Sequence, residues 1–462
     1  MSLIKSYIVP HPPMIIKEIG KGNEEQVRKT IESYEKIAKE IKKLKPETII
    51  ITSPHTTMYS DWFHILSKEK LTGNFKEFGV DSISFEEEND LEFIETLNTI
   101  TKEHNFPAQI IENKGNQMLD HGEMVPLYFI EKEYTNFKLV VIGLSGLPLV
   151  KHYELGMYIK EAIQKLDKKV VFLASGDLSH TLKEDGPYGY QEEGPLYEKE
   201  MIKIIEEADF QRLLKYRPEQ LEKIGDCGHR SITILTGAID KQDVNVKIYS
   251  HEDTTGVGYL VGSIEPLYLN SSRNYLEQEL KEEKNRIQKI VEKEDDYLRL
   301  ARNTINEYVK TGDVKQVHYP KSKHNGVFVT IYSHHQLRGC IGTVFQITNS
   351  IEEEIIENAI EAASNDPRFQ PITEEELDYL EIHVDILSKR KEVKTIYDID
   401  PKKYGLFVTA HGKTGVLLPN IEGIDDPEDQ LRIALKKGNI DYNEPYIMEV
   451  FEVERHEVKE EM

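Results

Sequence analysis

The sequence predicts two folded domains of different class: an α/β domain whose central sheet is covered by helices, then an α+β domain. Three observations carry this. The first half alternates continuous apolar runs with amphipathic helical patterns. A charged stretch without glycine or proline follows near residues 271–296. The second half mixes helices with strands in no regular alternation.

The chain has 462 residues, more than one ordinary core accommodates, since domains commonly hold ~100–200 residues. Hydrophobic residues make up 39% and charged residues 30%, a balance that supports folded domains and excludes a largely disordered chain.

In the first half, SYIV at 6–9 and TIIIT at 48–52 read as strands. KLVVIGL at 138–144 and KVVFLAS at 169–175 read as two more, and NVKIYS at 245–250 with VGYLVGSI at 257–264 as a closing pair. Continuous apolar runs suit a sheet buried on both faces. Val27, Ile31, Tyr34, Ala38 and Ile41 follow helical spacing, which predicts a helix over 24–44. The expected divisions are a first domain over 1–268, a charged helical linker over 269–289 and a second domain over 290–462. That charged helix serves equally as the first helix of the second domain.

The second half is expected to open with a helix near 297–310. Strands near 326–333, 381–387, 405–409 and 415–421 and a helix near 351–364 follow, with LRGCIG at 337–342 as a turn.

A formal net charge of −24 argues against nucleic acid and against an anionic membrane as partners. The two cysteines, Cys227 and Cys340, make neither a disulfide framework nor a cysteine-rich zinc site, so reduced thiols in the cytoplasm are expected. The opening MSLIKSYIVPHPPM lacks the long apolar run of a signal peptide, and no stretch approaches the ~20 apolar residues of a membrane helix.

Chemistry-bearing residues fall at strand ends. His11 ends the first strand, His55 the second, GDLSH at 176–180 follows the VVFLAS strand, and Glu252 follows KIYSH. In an α/β sheet, ligands bind beyond the carboxyl ends of the strands. Two imidazoles and one carboxylate can form the facial triad of a non-heme Fe(II) site. His11, His55 and Glu252 are the expected ligands, and the neighbouring prolines stiffen the loops that present the histidines. His180 suits acid–base work, because imidazole titrates near neutrality. His121 in LDHGEM is either a second catalytic group or a helix-start residue capped by Asp120. Asp177 either orients His180 or caps a turn, the latter being favoured, and Cys227 beside His229 is expected to be structural.

HPP, SPH, LDHG and SGDLSH, in this order, resemble the catalytic subunit of class III extradiol ring-cleavage dioxygenases over about residues 1–266. The resemblance implies Fe(II) as the cofactor, with Zn(II) or another divalent metal as alternatives. It implies His11, His55 and Glu252 as ligands, His180 as acid/base, His121 on the substrate side and a small aromatic substrate. Memo proteins share this fold, so the fold does not fix the reaction.

YSHHQLRGCIGT at 332–343, AASNDPRFQPITEEEL at 362–377, HVDILS at 383–388 and YGLFVTAHGKTGVLLP at 404–419 are similar to the blocks of the AMMECR-type domain. Together the halves resemble the architecture called AmmeMemoRadiSam system protein A. That name implies a Memo-like protein and a radical SAM protein as partners. The expected function is a metal-dependent oxidoreductase. The alternative is a non-catalytic or accessory metal-binding protein that docks partners and supports a radical SAM enzyme. Two readings stand for the LRGCIG segment: Arg338 lowers the pKa of a reactive Cys340 thiol, or Cys340 is a small buried hydrophobe in a turn fixed by Gly339 and Gly342. Asp366 and Arg368 suit a structural ion pair.

Overall fold

The structure, a computed structural model, describes residues 3–108, 110, 117–315, 317–421 and 423–459. The chain divides into two compact units, Met1–Lys281 and Glu282–Met462. The charged segment forms the helix Tyr275–Lys293, and the division falls inside it.

The first unit is built on a six-stranded mixed sheet. Lys138–Gly143, Thr48–Ser53, Val170–Ser175 and Leu3–Val9 lie side by side in that order, all parallel. Tyr259–Leu269 then pairs antiparallel with Leu3–Val9, and Gln242–Glu252 closes the edge antiparallel to it. Two reversals restore the direction, so Gln242–Glu252 ends at the same sheet edge as the four parallel strands.

Every residue of Thr48–Ser53 and Val170–Ser175 is buried, as their unbroken apolar runs require. Alternation along the strands separates two cores. Ile8, Ile50, Val140 and Phe172 face one side with the helices Leu91–Glu103, Leu149–Leu166 and His229–Ala238. Tyr7, Ile49, Ile51 and Leu173 face the other with Arg28–Leu44 and His121–Ile130. The predicted helix over 24–44 begins as a 3₁₀ segment, Asn23–Val27, before the α-helix Arg28–Leu44, which ends on left-handed Lys45. A hairpin of Lys70–Asn74 and Ser84–Glu88 had no apolar signature, because most of its residues face solvent.

The second unit contains two four-stranded antiparallel sheets. Gln336–Gly342, Val327–Ser333, Leu380–Leu387 and Val453–His456 form the first. Lys391–Val393, Ile447–Phe451, Gly405–Ala410 and Lys413–Leu417 form the second. The helices Asp296–Thr311 and Ile351–Ser364 share the apolar core of the first sheet, and Pro427–Lys437 that of the second. LRGCIG is a strand rather than a turn. The reversal lies just before it, at His334 and His335, whose φ angles of 49° and 60° are those of a two-residue hairpin loop. Gly339 serves close packing instead: a Cβ there would sit 2.2 Å from the carbonyl oxygen of Ala362 on the neighbouring helix. Among the described residues, no helix is long and apolar enough to cross a membrane.

Gly339→Ala is therefore expected to destabilise the second unit by roughly 1–3 kcal/mol, the usual cost of overpacking. Urea unfolding followed on this unit measures it; an unchanged midpoint would show that helix and strand separate freely.

Candidate metal centre

His11 follows the strand Leu3–Val9, and its chain is held by Tyr34, whose hydroxyl donates to the Pro10 carbonyl. The residue is 2% exposed. Its backbone N–H donates to Asp177 Oδ1 at 2.9 Å, and its ring Nδ1 lies 2.9 Å from Ser175 Oγ. The Ser175 hydroxyl donates its own proton to the Gly122 carbonyl at 2.6 Å. Ser175 must then accept from His11 Nδ1–H. This assigns the tautomer and leaves the Nε2 lone pair unprotonated.

That Nε2 lies 3.0 Å from His55 Nε2 and 3.5 Å from Cys227 Sγ. His55 follows the strand Thr48–Ser53, and its N–H donates to Ser53 Oγ at 3.3 Å. His121 opens the helix His121–Ile130, where Asp120 and Glu123 form a capping box. The Asp120 carboxylate also bonds His121 Nδ1. His121 thus starts a helix, as one reading has it, and its ring centroid also lies 4.0 Å from that of His55. One nitrogen each of His11, His55 and His121 lies within 4.8 Å of the other two, close enough to hold one metal ion.

A second group with the same spacing joins His11 to Asp177 and Cys227. Gly176 makes it possible, because a Cβ there would meet Gly228 Cα at 2.2 Å. The two loops touch backbone to backbone: Gly228 N–H donates to the Asp177 carbonyl at 2.8 Å, and Asp177 N–H to Cys227 Sγ at 3.1 Å. Cys227, expected to be structural, does brace the Asp177 backbone and also lies beside His11 in the second group. Its neighbour His229 is wholly buried and bonds the Leu213 carbonyl at 2.9 Å.

His180 Nε2 is buried without a hydrogen-bond partner among the described residues, and its ring stacks on Tyr188. Its loop is anchored by Glu198, which accepts from Ser179 N–H at 2.7 Å and binds His251 Nε2. Sequence reasoning missed Glu198. Its signal was an acid among Tyr197, Met201 and Ile204 on the apolar face of the helix Glu193–Glu207.

Glu252 does not join either group, which corrects the expected ligand set. Its Oε2 accepts from the Thr30 N–H at 2.7 Å and from the Thr30 hydroxyl at 2.8 Å. Thr30 lies in the first turn of Arg28–Leu44, whose N-cap Val27 offers no side-chain acceptor. Glu252 satisfies that open helix end instead. The reason is topological. Tyr259–Leu269 lies between its strand and that of His11, an offset of about 10 Å at the usual strand spacing.

Burial, aided by the charges of His55 and His121, lowers the His11 pKa well below the usual histidine value. Burial of the ring and the charge of His121 bring His55 down to about 4, and burial lowers His180. All three are neutral at pH 7 and offer lone pairs. Burial pushes the Asp177 carboxyl up to about 7 and raises the Cys227 thiol. Burial opposes ionisation of Asp120, but its bond to His121 outweighs this and holds the carboxyl low.

In the second unit, Arg338 is bound to Glu376 at 2.6 and 3.0 Å and to the Gln370 carbonyl at 2.9 Å. It does not activate Cys340. Burial raises that thiol, with partial opposition from Thr330 and from Arg368 rather than Arg338. Arg368 pairs with Asp366 at 2.6 Å and donates to the Cys340 carbonyl at 3.1 Å, so the pair buttresses the strand.

Residues 5–262 match the family described as the catalytic LigB subunit of aromatic ring-opening dioxygenase. The chain belongs to this family. In this LigB-family protein, residues 298–460 also match the AMMECR1 family. A protein of Clostridium acetobutylicum is 37% identical over 99% of both chains, so it shares the whole two-part architecture. A Thermotoga maritima protein is 42% identical over 35% of this chain and 96% of its own. A solved structure of an uncharacterised protein from Pyrococcus horikoshii is 31% identical, covers 34% of this chain and 88% of its own, and has a TM-score of 0.31.

The His55 imidazole of the metal-free LigB-family protein is expected to titrate near pH 4, binding its proton only below that value. Proton-detected NMR of the ring checks this. A midpoint near the reference value of ~6.5 would mean that the ring is freely solvated.

Proposed function

We propose that the first unit is a non-heme Fe(II) oxidoreductase of the extradiol ring-cleavage type, acting on a catecholic or related small aromatic molecule. The observation that carries this is the convergence of His11, His55 and His121, the first two held neutral, beside His180 Nε2, which is unpartnered among the described residues. His11 and His55 would hold the ion, with His121 and Cys227 as the further donors in reach. Bound Fe(II) would supply Lewis acidity and a redox-active centre with open positions for substrate and oxygen.

This chain's own residues do the rest. Ser175 orients the His11 ring, and Asp177 holds its backbone. Glu198 fixes the loop of His180, whose Nε2 is placed to take a proton from a substrate hydroxyl. Two unbridged cysteines support a cytoplasmic setting.

A second reading is an accessory role, in which the AMMECR-type unit docks a Memo-like or radical SAM partner. Its support is that Arg338 and Cys340 are committed to structural bonds and a raised thiol pKa.

Anaerobic purification, iron loading and metal analysis test the first reading. About one iron per chain is expected, lost in His11→Ala and His55→Ala. Glu252→Ala should keep the metal and lose about 1 kcal/mol of stability, the usual value of a helix cap. His121→Ala and Cys227→Ala, measured side by side, identify the third ligand. Wild-type protein that takes up no iron sinks the proposal. Iron uptake without cleavage of catechols in air favours the accessory role.

A further inference from the structure

The ring of Tyr188 lies 4.9 Å from that of His180 at an interplanar angle of 29°, yet the residue is 64% exposed. Its loop is closed at the base by the Leu182–Tyr190 bridge and tied down by Lys183 Nζ, which donates to the Thr254 carbonyl at 2.7 Å. The tip, residues 186–189, contains Gly189 at φ 77° immediately after the tyrosine. The base is fixed, and the side chain stands at the turn.

On another loop, Phe78 meets the His121 ring edge-on at 5.4 Å. Phe78 belongs to the 3₁₀ turn Lys76–Phe78, between the two strands of the Lys70–Asn74 hairpin. Two aromatic rings from separate loops thus touch His180, which the proposed function assigns to proton handling, and His121, which it leaves as a further donor beside the metal ligands. Beneath Tyr188, His180 Nε2 has no hydrogen-bond partner among the described residues.

We propose that Tyr188 and Phe78 are the specificity-determining residues of this site. They form an aromatic slot that admits a planar ring, with Tyr188 as the displaceable cover of His180. On entry, Tyr188 exchanges its stack on His180 for a stack on the substrate, which brings a ring hydroxyl to Nε2. Offset and edge-on contacts of this kind select flat aromatic rings over aliphatic chelators of equal charge. The inference rests on the proposed function for the identity of the ligand, but not for the cover.

Two measurements on the full-length chain test it. In metal-free protein, carbethoxylation of His180 by diethyl pyrocarbonate is followed by peptide mass mapping. Tyr188→Ala should raise its rate at least fivefold, and Tyr188→Phe should leave it within twofold of wild type. An unchanged rate in Tyr188→Ala overturns the cover. In anaerobic iron-loaded protein, optical titration with 4-nitrocatechol should show about tenfold weaker binding for Tyr188→Ala and for Phe78→Ala at unchanged iron content. Tyr188→Phe should bind normally, and lactate should bind all variants alike. Tight 4-nitrocatechol binding that survives both alanine variants overturns the slot while the proposed function stands. No 4-nitrocatechol binding by iron-loaded wild type overturns the proposed function and the slot with it.

Discussion

The hydrogen bond between His11 Nδ1 and Ser175 Oγ organises the first unit's working edge. It joins the ends of two neighbouring parallel strands and, through the Gly122 carbonyl, the first turn of the His121 helix. Because the serine proton is committed to that carbonyl, the direction of the chain of bonds is fixed. The ring is locked in orientation and tautomer together. Without it, Nε2 would not face His55 and Cys227 with a free lone pair.

Around that anchor the site gathers nitrogen donors that run from buried His11 through half-buried His121 to exposed His55. Neutral imidazoles in low dielectric resist protonation, since each further charge repels the next. A divalent cation suits the same donors because it binds several lone pairs at once. Burial pushes the Asp177 carboxyl up to about 7 and raises the Cys227 thiol beside them, so anionic charge next to the histidines is reduced at neutral pH. The chain's net charge of −24 adds a surrounding field that favours cations over anions.

Much of the sheet was legible in the sequence because its strands are buried on both faces and leave unbroken apolar runs, as in Thr48–Ser53. The exposed hairpin Lys70–Asn74 and Ser84–Glu88 left no such trace. Strand-end position brought His11, His55 and His180 to notice, but it could not report lateral distance across the sheet. Glu252 ends at the right edge yet lies too far along it, since an antiparallel strand intervenes. Cys227 escaped for the opposite reason: it stands on no strand end, and only the Gly176–Gly228 contact carries it to His11. LRGCIG misled through its glycines: Gly339 lets its strand lie against the helix at Ala362 and Gly342 leaves room for the Phe328 ring of the neighbouring strand, while two histidines make the turn.

The insertion of Tyr259–Leu269 beside the first strand also sets a timetable for synthesis. Leu3–Val9 has both of its sheet neighbours, Val170–Ser175 and Tyr259–Leu269, far downstream. At ~5–20 residues per second, this strand waits on the order of 10–50 s after its own synthesis for its last neighbour. His11 emerges with it, and its partners Ser175 and Cys227 are 164 and 216 residues away. An ion captured early would meet isolated histidines on an open chain. The cluster around His11 therefore exists only once nearly all of that unit has been made.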